Sequence, residues 1–130
     1  MPRFRADEHI RTREDFERTY QTGRKIPGRL MLMFIGDNGL DRARLGIAAT
    51  RKIGGAVIRN RAKRLARELF RHHTPTGGLD VVIVPRREML DAPYDTLEAE
   101  FRALLDRRHE RRRARGVTAG PARPRVHPGV

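Results

Sequence analysis

Between Arg42 and Arg71 the chain carries eight Arg and two Lys against one acid, Glu68, a formal +9 within a segment that also has a regular apolar pattern. The chemistry open to such residues is recognition of phosphate. Arg presents a planar fork that makes bidentate hydrogen bonds and stacks on bases, whereas Lys acts as a point charge. The whole chain shows the same bias, with 26 Arg among its 29 basic residues and a formal net charge of +13. Residues 107–130 add eight Arg against one acid, a further +7, so everything else sums to −3. A positive field concentrated in two places implies a polyanionic partner, and a localised patch steers one better than a smeared charge.

Residues for bond-breaking chemistry are not apparent. A protein-centred enzyme needs convergent acids, a nucleophile with a base, or metal ligands at workable spacing. His72 and His73 are adjacent and would project about 100 degrees apart on a helix, poor geometry for one metal, so they read as a solvated helix end. His9, His109 and His127 lie in polar terminal stretches, and the acids near residues 95–106 read as an exposed helix face. The absence of Cys removes thiol, disulfide and thiolate-metal chemistry and agrees with a reducing compartment. Gly54-Gly55 lacks the GK[ST] of a phosphate-binding loop and reads as a strand-to-helix turn, although amides at a helix start can receive an RNA phosphate. No catalytic residue, bound metal or small-molecule substrate is expected of the protein itself.

The elements that must position the cations follow from periodicity. Ile58, Ala62, Leu65, Ala66 and Leu69 recur at helical spacing after Gly54-Gly55, and the opposite arc holds Asn60, Arg61, Lys63, Arg64, Arg67 and Arg71. Upstream, Thr12 with Asp15 three residues later reads as a helix start; the helix over 13–21 puts Phe16 and Tyr20 on one face, and Gly23 ends it. Runs over 29–35 and 44–50, separated by Asp37-Asn38-Gly39, read as strands that should pair antiparallel, with a short extra strand near 24–26. Leu79 to Val84 is nearly continuously aliphatic, the pattern of a strand buried on both faces. Pro93 opens a last helix with Tyr94, Leu97, Phe101, Leu104 and Leu105 inward. Residues 107–130 have no apolar period, repel themselves and read as a disordered basic tail.

With 130 residues and 38% hydrophobic content, one small α+β domain is expected over 12–106, with an N-terminal extension over 1–11 and the tail beyond. The longest apolar runs are too short to cross a bilayer, and the start MPRFRADEHIR lacks the apolar core of a signal peptide, so no membrane partner is expected and the chain reads as cytoplasmic.

The stretch RKIGGAVIRNRAKRLARELF, Arg51 to Phe70, resembles the signature of the protein component of bacterial ribonuclease P. Lys52, Ile53, Gly54, Ala56, Val57, Arg59, Asn60, Arg61, Lys63, Arg64, Arg67, Glu68 and Phe70 all fall in register. Arg51 stands where Lys is usual, which keeps the charge. Gly55 stands where Asn is usual, which removes a hydrogen-bonding side chain. Glu14-Asp15-Phe16 with Tyr20 and Gly23, the strand over 44–50, and Leu79 to Val84 followed by Arg86 extend the resemblance over residues 12–106.

The resemblance implies an αβββαβα fold with a mixed sheet. If the strands over 44–50 and 79–84 are parallel neighbours, general physics predicts a right-handed crossover between them, whereas the resemblance implies a left-handed one. It also implies a noncatalytic subunit. A separate RNA, holding Mg2+, would cleave the 5′ leader from precursor tRNA, and the protein would bind both the ribonuclease P RNA and the leader. By position, Arg51, Arg59, Asn60, Arg61, Lys63, Arg64, Arg67 and Arg71 would face RNA, with Lys52 near a leader cleft lined by half-exposed Phe16, Tyr20 and Phe34. Without the resemblance, an i, i+4 aromatic pair is more simply core. A small Arg-rich α+β domain would equally suit a ribosomal or RNA-chaperone protein that binds RNA with no role in cleavage.

Overall fold

A computed structural model describes residues 8–108; the basic stretch beyond Arg108 and the first seven residues lie outside it. In chain order the elements are α1 (Arg13–Thr22), β1 (Arg24–Pro27), β2 (Met31–Asp37), β3 (Arg44–Ile47), a 3-10 turn (Arg51–Ile53), α2 (Ala56–His72), β4 (Leu79–Pro85), a second 3-10 turn (Arg87–Leu90) and α3 (Tyr94–Arg107). The order matches the expected αβββαβα class. Thr12 caps α1 as its sequence suggests, its hydroxyl accepting from the Asp15 N–H at 3.1 Å.

The four strands form one mixed sheet in the order β1-β2-β4-β3. One expectation fails here. β2 and β3 do not pair; β4 runs between them, antiparallel to β2 and parallel to β3. The physical reason lies in β4 itself. Val81, Val82 and Ile83 are wholly buried, so this strand is apolar on both faces and takes a central place, whereas β3 is four residues long and suits an edge.

Successive side chains divide the sheet into two apolar layers. Met33, Ile35, Leu45, Val81 and Ile83 pack beneath α2 and α3, meeting Ala66, Leu69, Phe70, Leu97 and Phe101. Phe34 and Val82 point the other way and pack with Ile10, Phe16 and Tyr20 of α1 and the segment before it.

The β3-α2-β4 crossover is left-handed, and hydrogen bonding fixes its hand. Viewed from the α2 side with β4 running upward, Ile83 points at the viewer. An L-residue in that pose directs its carbonyl to the right. That carbonyl accepts from the Ala48 N–H at 2.9 Å, so β3 lies to the right of β4, and the chain passes in front of the sheet leftwards. The chain therefore takes the hand implied by the resemblance over the general preference for right-handed connections.

Candidate nucleic-acid interface

The 3-10 turn and Gly54-Gly55 set the start of α2. Thr50 Oγ1 accepts from the Lys52 N–H at 3.3 Å, leaving the Arg51 and Lys52 side chains in solvent. Gly54 has φ +146°, and a Cβ there would meet Ile58 at 2.8 Å, so this position requires glycine. Gly55 is different. Its φ of −78° suits any residue, and a Cβ would project into open space. The side chain lost relative to the signature therefore leaves no defect in the fold.

Along α2, Ala62, Ala66, Leu69 and Phe70 are buried while Asn60, Arg61 and Arg64 are exposed. The nine expected RNA-binding residues do not form one uniform surface. Arg61 reaches across to the Leu90 carbonyl at 3.1 Å on the flank beside the second 3-10 turn. Arg71 pairs with Glu68 at the far end. Arg59 Nη1 turns back to the Gly54 carbonyl at 3.2 Å. Arg59, Lys63 and Arg67 stand four residues apart in one row on the flank nearer β3. Burial, then the charges of Arg67 and Arg59, push the Lys63 amine below its usual value. At the helix start Val57 is 82% exposed, an apolar side chain in full solvent.

The three rings assigned to the leader cleft are together but not half-exposed. Phe16, Tyr20 and Phe34 retain 2%, 8% and 3% of their surface, and the Tyr20 and Phe34 rings meet edge to face at 4.9 Å. α1 covers them because Gly46 and Gly23 let it lie close: a Cβ at Gly46 would strike the Phe16 ring at 2.8 Å, and one at Gly23 would strike the Ile35 carbonyl at 2.7 Å. The rings are the floor under α1, and the i, i+4 spacing signals core.

What α1 leaves open is one row further along the same sheet face. Pro27, Leu32 and Val84 lie side by side in the register, with Leu32 and Val84 half-buried against the aromatic cluster. Lys25 shares this face. At its rim Arg86 Nε donates to the Gly28 carbonyl at 3.0 Å. The alternation Leu32, Phe34 in β2 could have flagged this row, but nothing local distinguishes the covered residue from the open one.

Buried polar groups brace this arrangement. Asp80 is 1% exposed and accepts from Arg44 Nε at 2.8 Å, Arg44 Nη2 at 2.7 Å and Asn38 Nδ2 at 2.9 Å. Hydrogen bonding to Asp80 raises the Arg44 pKa further, and the same guanidinium reaches Asp15 of α1 at 3.3 Å. On α3 the acids do not all face solvent as expected. Glu100 turns inward to accept from the backbone N–H groups of Arg29, Leu30 and Met31 at 3.1, 2.8 and 3.0 Å. Glu98 meets His73 Nε2 at 3.0 Å, while exposed His72 approaches the Tyr94 hydroxyl at 3.3 Å. Burial, then Glu98 and Glu68, raise the Tyr94 pKa. Among the described residues no group of three His, Cys, Asp or Glu could hold a metal ion.

The model of the family Ribonuclease P matches residues 4–109. The chain belongs to the ribonuclease P protein family. It is 36% identical over 98 residues to the ribonuclease P protein component of Caldanaerobacter subterraneus, covering 74% of this chain and 84% of that one. Against the component from Pelotomaculum thermopropionicum the identity is 37% over 100 residues, with coverage of 75% and 89%. The solved ribonuclease P protein of Thermotoga maritima superposes with a TM-score of 0.69 at 32% identity, covering 77% of this chain and 96% of that one. That of Staphylococcus aureus superposes with a TM-score of 0.68 at 29% identity, covering 76% and 93%. The chain is thus a subunit of ribonuclease P, the tRNA-processing enzyme, and its partner is RNA. Among the described residues no helix is long and apolar enough to cross a membrane.

Proposed function

We propose that this ribonuclease P subunit is noncatalytic and acts in the cytoplasm. It binds the ribonuclease P RNA through α2 and the 5′ leader of precursor tRNA across the open sheet row beside α1. The observation that carries the reading is the pairing of a crowded, acid-poor cationic row on α2 with an uncovered apolar strip, Pro27–Leu32–Val84, flanked by Lys25 and Arg86 on the other face. The cations offset phosphate repulsion between the two RNAs, and the strip adds affinity for substrates that still carry a leader. Leu32 and Val84 replace the buried rings as the contact surface, with bases packing on them as on other sequence-tolerant platforms. Mg2+ is held by the RNA in this reading; the described protein residues offer no carboxylate cluster to hold it.

Reconstitution tests it. The full chain, ribonuclease P RNA and a labelled precursor tRNA are combined singly and together at low Mg2+, where the RNA alone is slow. The expected result is 5′ maturation strongly stimulated when protein and RNA are both present, and none from protein alone. Cleavage by the protein alone would overturn the noncatalytic role. In the same complex, Leu32→Thr with Val84→Thr should narrow the preference for precursor over mature tRNA while leaving mature tRNA binding unchanged.

A further inference from the structure

His9 lies on the outer edge of β3, bridged in parallel to Leu45, and the next N–H, of Ile10, donates to the Leu45 carbonyl at 2.9 Å. Ile10 is buried on the α1 side with Phe16 and Phe34. Side chains alternate along an extended segment, so His9 and Arg11 project to the other side, toward α2. There His9 lies within the field of Arg67, which also acts on Lys63 one turn before it. An imidazole, Arg11 and Arg67 from two separate elements therefore meet at one seam, with Lys63 one turn before Arg67 on the helix. From its own segment His9 feels Arg11 and Glu8, and from α2 it feels Arg67. Repulsion of this kind is a local conflict of the sort that folds retain where a ligand resolves it.

We propose that His9, Arg11, Lys63 and Arg67 form a binding site for an RNA phosphodiester at the seam between the N-terminal segment and α2, with His9 taking up a proton as the site fills. The site deepens the RNA-binding reading of α2 and rests on it. In the free protein, burial and then Arg67 and Arg11 hold the imidazole below its ordinary pKa, with Glu8 opposing them. A phosphate docked beside the ring reverses that balance, because an opposite charge favours the imidazolium. The proton comes from solvent, so binding strengthens as pH falls through the interval between the free and bound values. A lysine or arginine contact alone would show no such dependence near neutrality. Two RNAs could supply the phosphate, and both are probed.

Affinities are measured at fixed salt from pH 8.0 to 5.5 for the full native chain, His9→Gln and His9→Arg. One arm follows binding to ribonuclease P RNA; the other follows precursor tRNA binding to the reconstituted holoenzyme. The native protein should tighten by up to about tenfold per pH unit in one arm, the limit for one linked proton, and that arm names the RNA. His9→Gln should lose that part of the pH dependence and fall progressively behind the native protein as the pH drops, while His9→Arg should stay tight throughout. The other histidines are common to all three proteins, so the comparison isolates His9. The His9 ring resonance, followed by NMR, should titrate at higher pH with RNA bound than without. Parallel pH curves for the native chain and His9→Gln in both arms, with stimulation of cleavage intact, would overturn the site alone. Absence of RNA binding by every variant would overturn the site together with the reading beneath it.

Discussion

At the scale of single residues, the aromatic trio and the glycine pair have the sharpest consequences. Phe16 is wholly enclosed, so Phe16→Ala should cost about 3–5 kcal/mol of folding stability, seen as an earlier urea midpoint. Lost RNA binding in that variant would therefore report unfolding and say nothing of a leader contact, which is why Leu32 and Val84 are the informative positions. The two glycines should behave oppositely. Gly54→Ala forces a side chain into φ +146° against Ile58 and should destabilise by about 1–3 kcal/mol. Gly55→Asn places a capping side chain in open space at the start of α2 and should leave the urea midpoint unchanged or raise it by a few tenths of a kcal/mol. An unchanged midpoint for Gly54→Ala would show that α2 can start without that backbone turn.

At the scale of elements, two carboxylates hold the pieces in register. Glu100 of α3 receives three backbone N–H groups from the β1-β2 connection, and Gly28 is needed there because a Cβ would lie 2.5 Å from that carboxylate. Glu100→Ala strands those donors and should cost about 1–3 kcal/mol, with faster hydrogen exchange at Leu30 and Met31 than elsewhere in β2. Asp80 ties β4 to Arg44 of β3 and, through it, to Asp15 of α1. Neither tie was legible in the sequence, because both join residues far apart in the chain, 36 for Arg44 and Asp80 and about 70 for Glu100 and its donors. The helices were legible for the converse reason: Ala62, Ala66 and Leu69, or Leu97, Phe101 and Leu104, declare a buried face through local spacing alone. The same local rule read strands over 29–35 and 44–50, close to the observed Met31–Asp37 and Arg44–Ile47, but could not say that β4 would separate them. An alternating pattern fixes a face without naming a neighbour.

At the scale of the whole molecule, charge is arranged by direction. Two cations away from α2 are compensated close by, Arg18 by Asp15 and Arg42 by Asp41, whereas Lys63 feels the like charges of Arg59 and Arg67, one turn away on either side. The sequence revealed the excess and the helix that carries it. It did not reveal that Arg61 would be drawn to the Leu90 carbonyl or that the N-terminal segment would bring His9 and Arg11 to the same seam, since both depend on how α2 crosses the sheet. Each phosphate neutralised by a cation releases counterions, so the salt dependence of binding counts engaged charges, at about 0.7 per contact on single strands and 0.9 on duplex. Replacing Arg59, Lys63 and Arg67 together by Gln should reduce the log-log salt slope for ribonuclease P RNA by about 2 to 3. Replacing Arg18 and Arg42 by Gln removes two cations on the other side of the sheet and at the β2-β3 connection, and should leave that slope unchanged. A shift proportional only to the net charge removed, equal per residue in the two variants, would mean that the RNA feels the protein as a diffuse polycation and that the row on α2 has no privileged place in the interface.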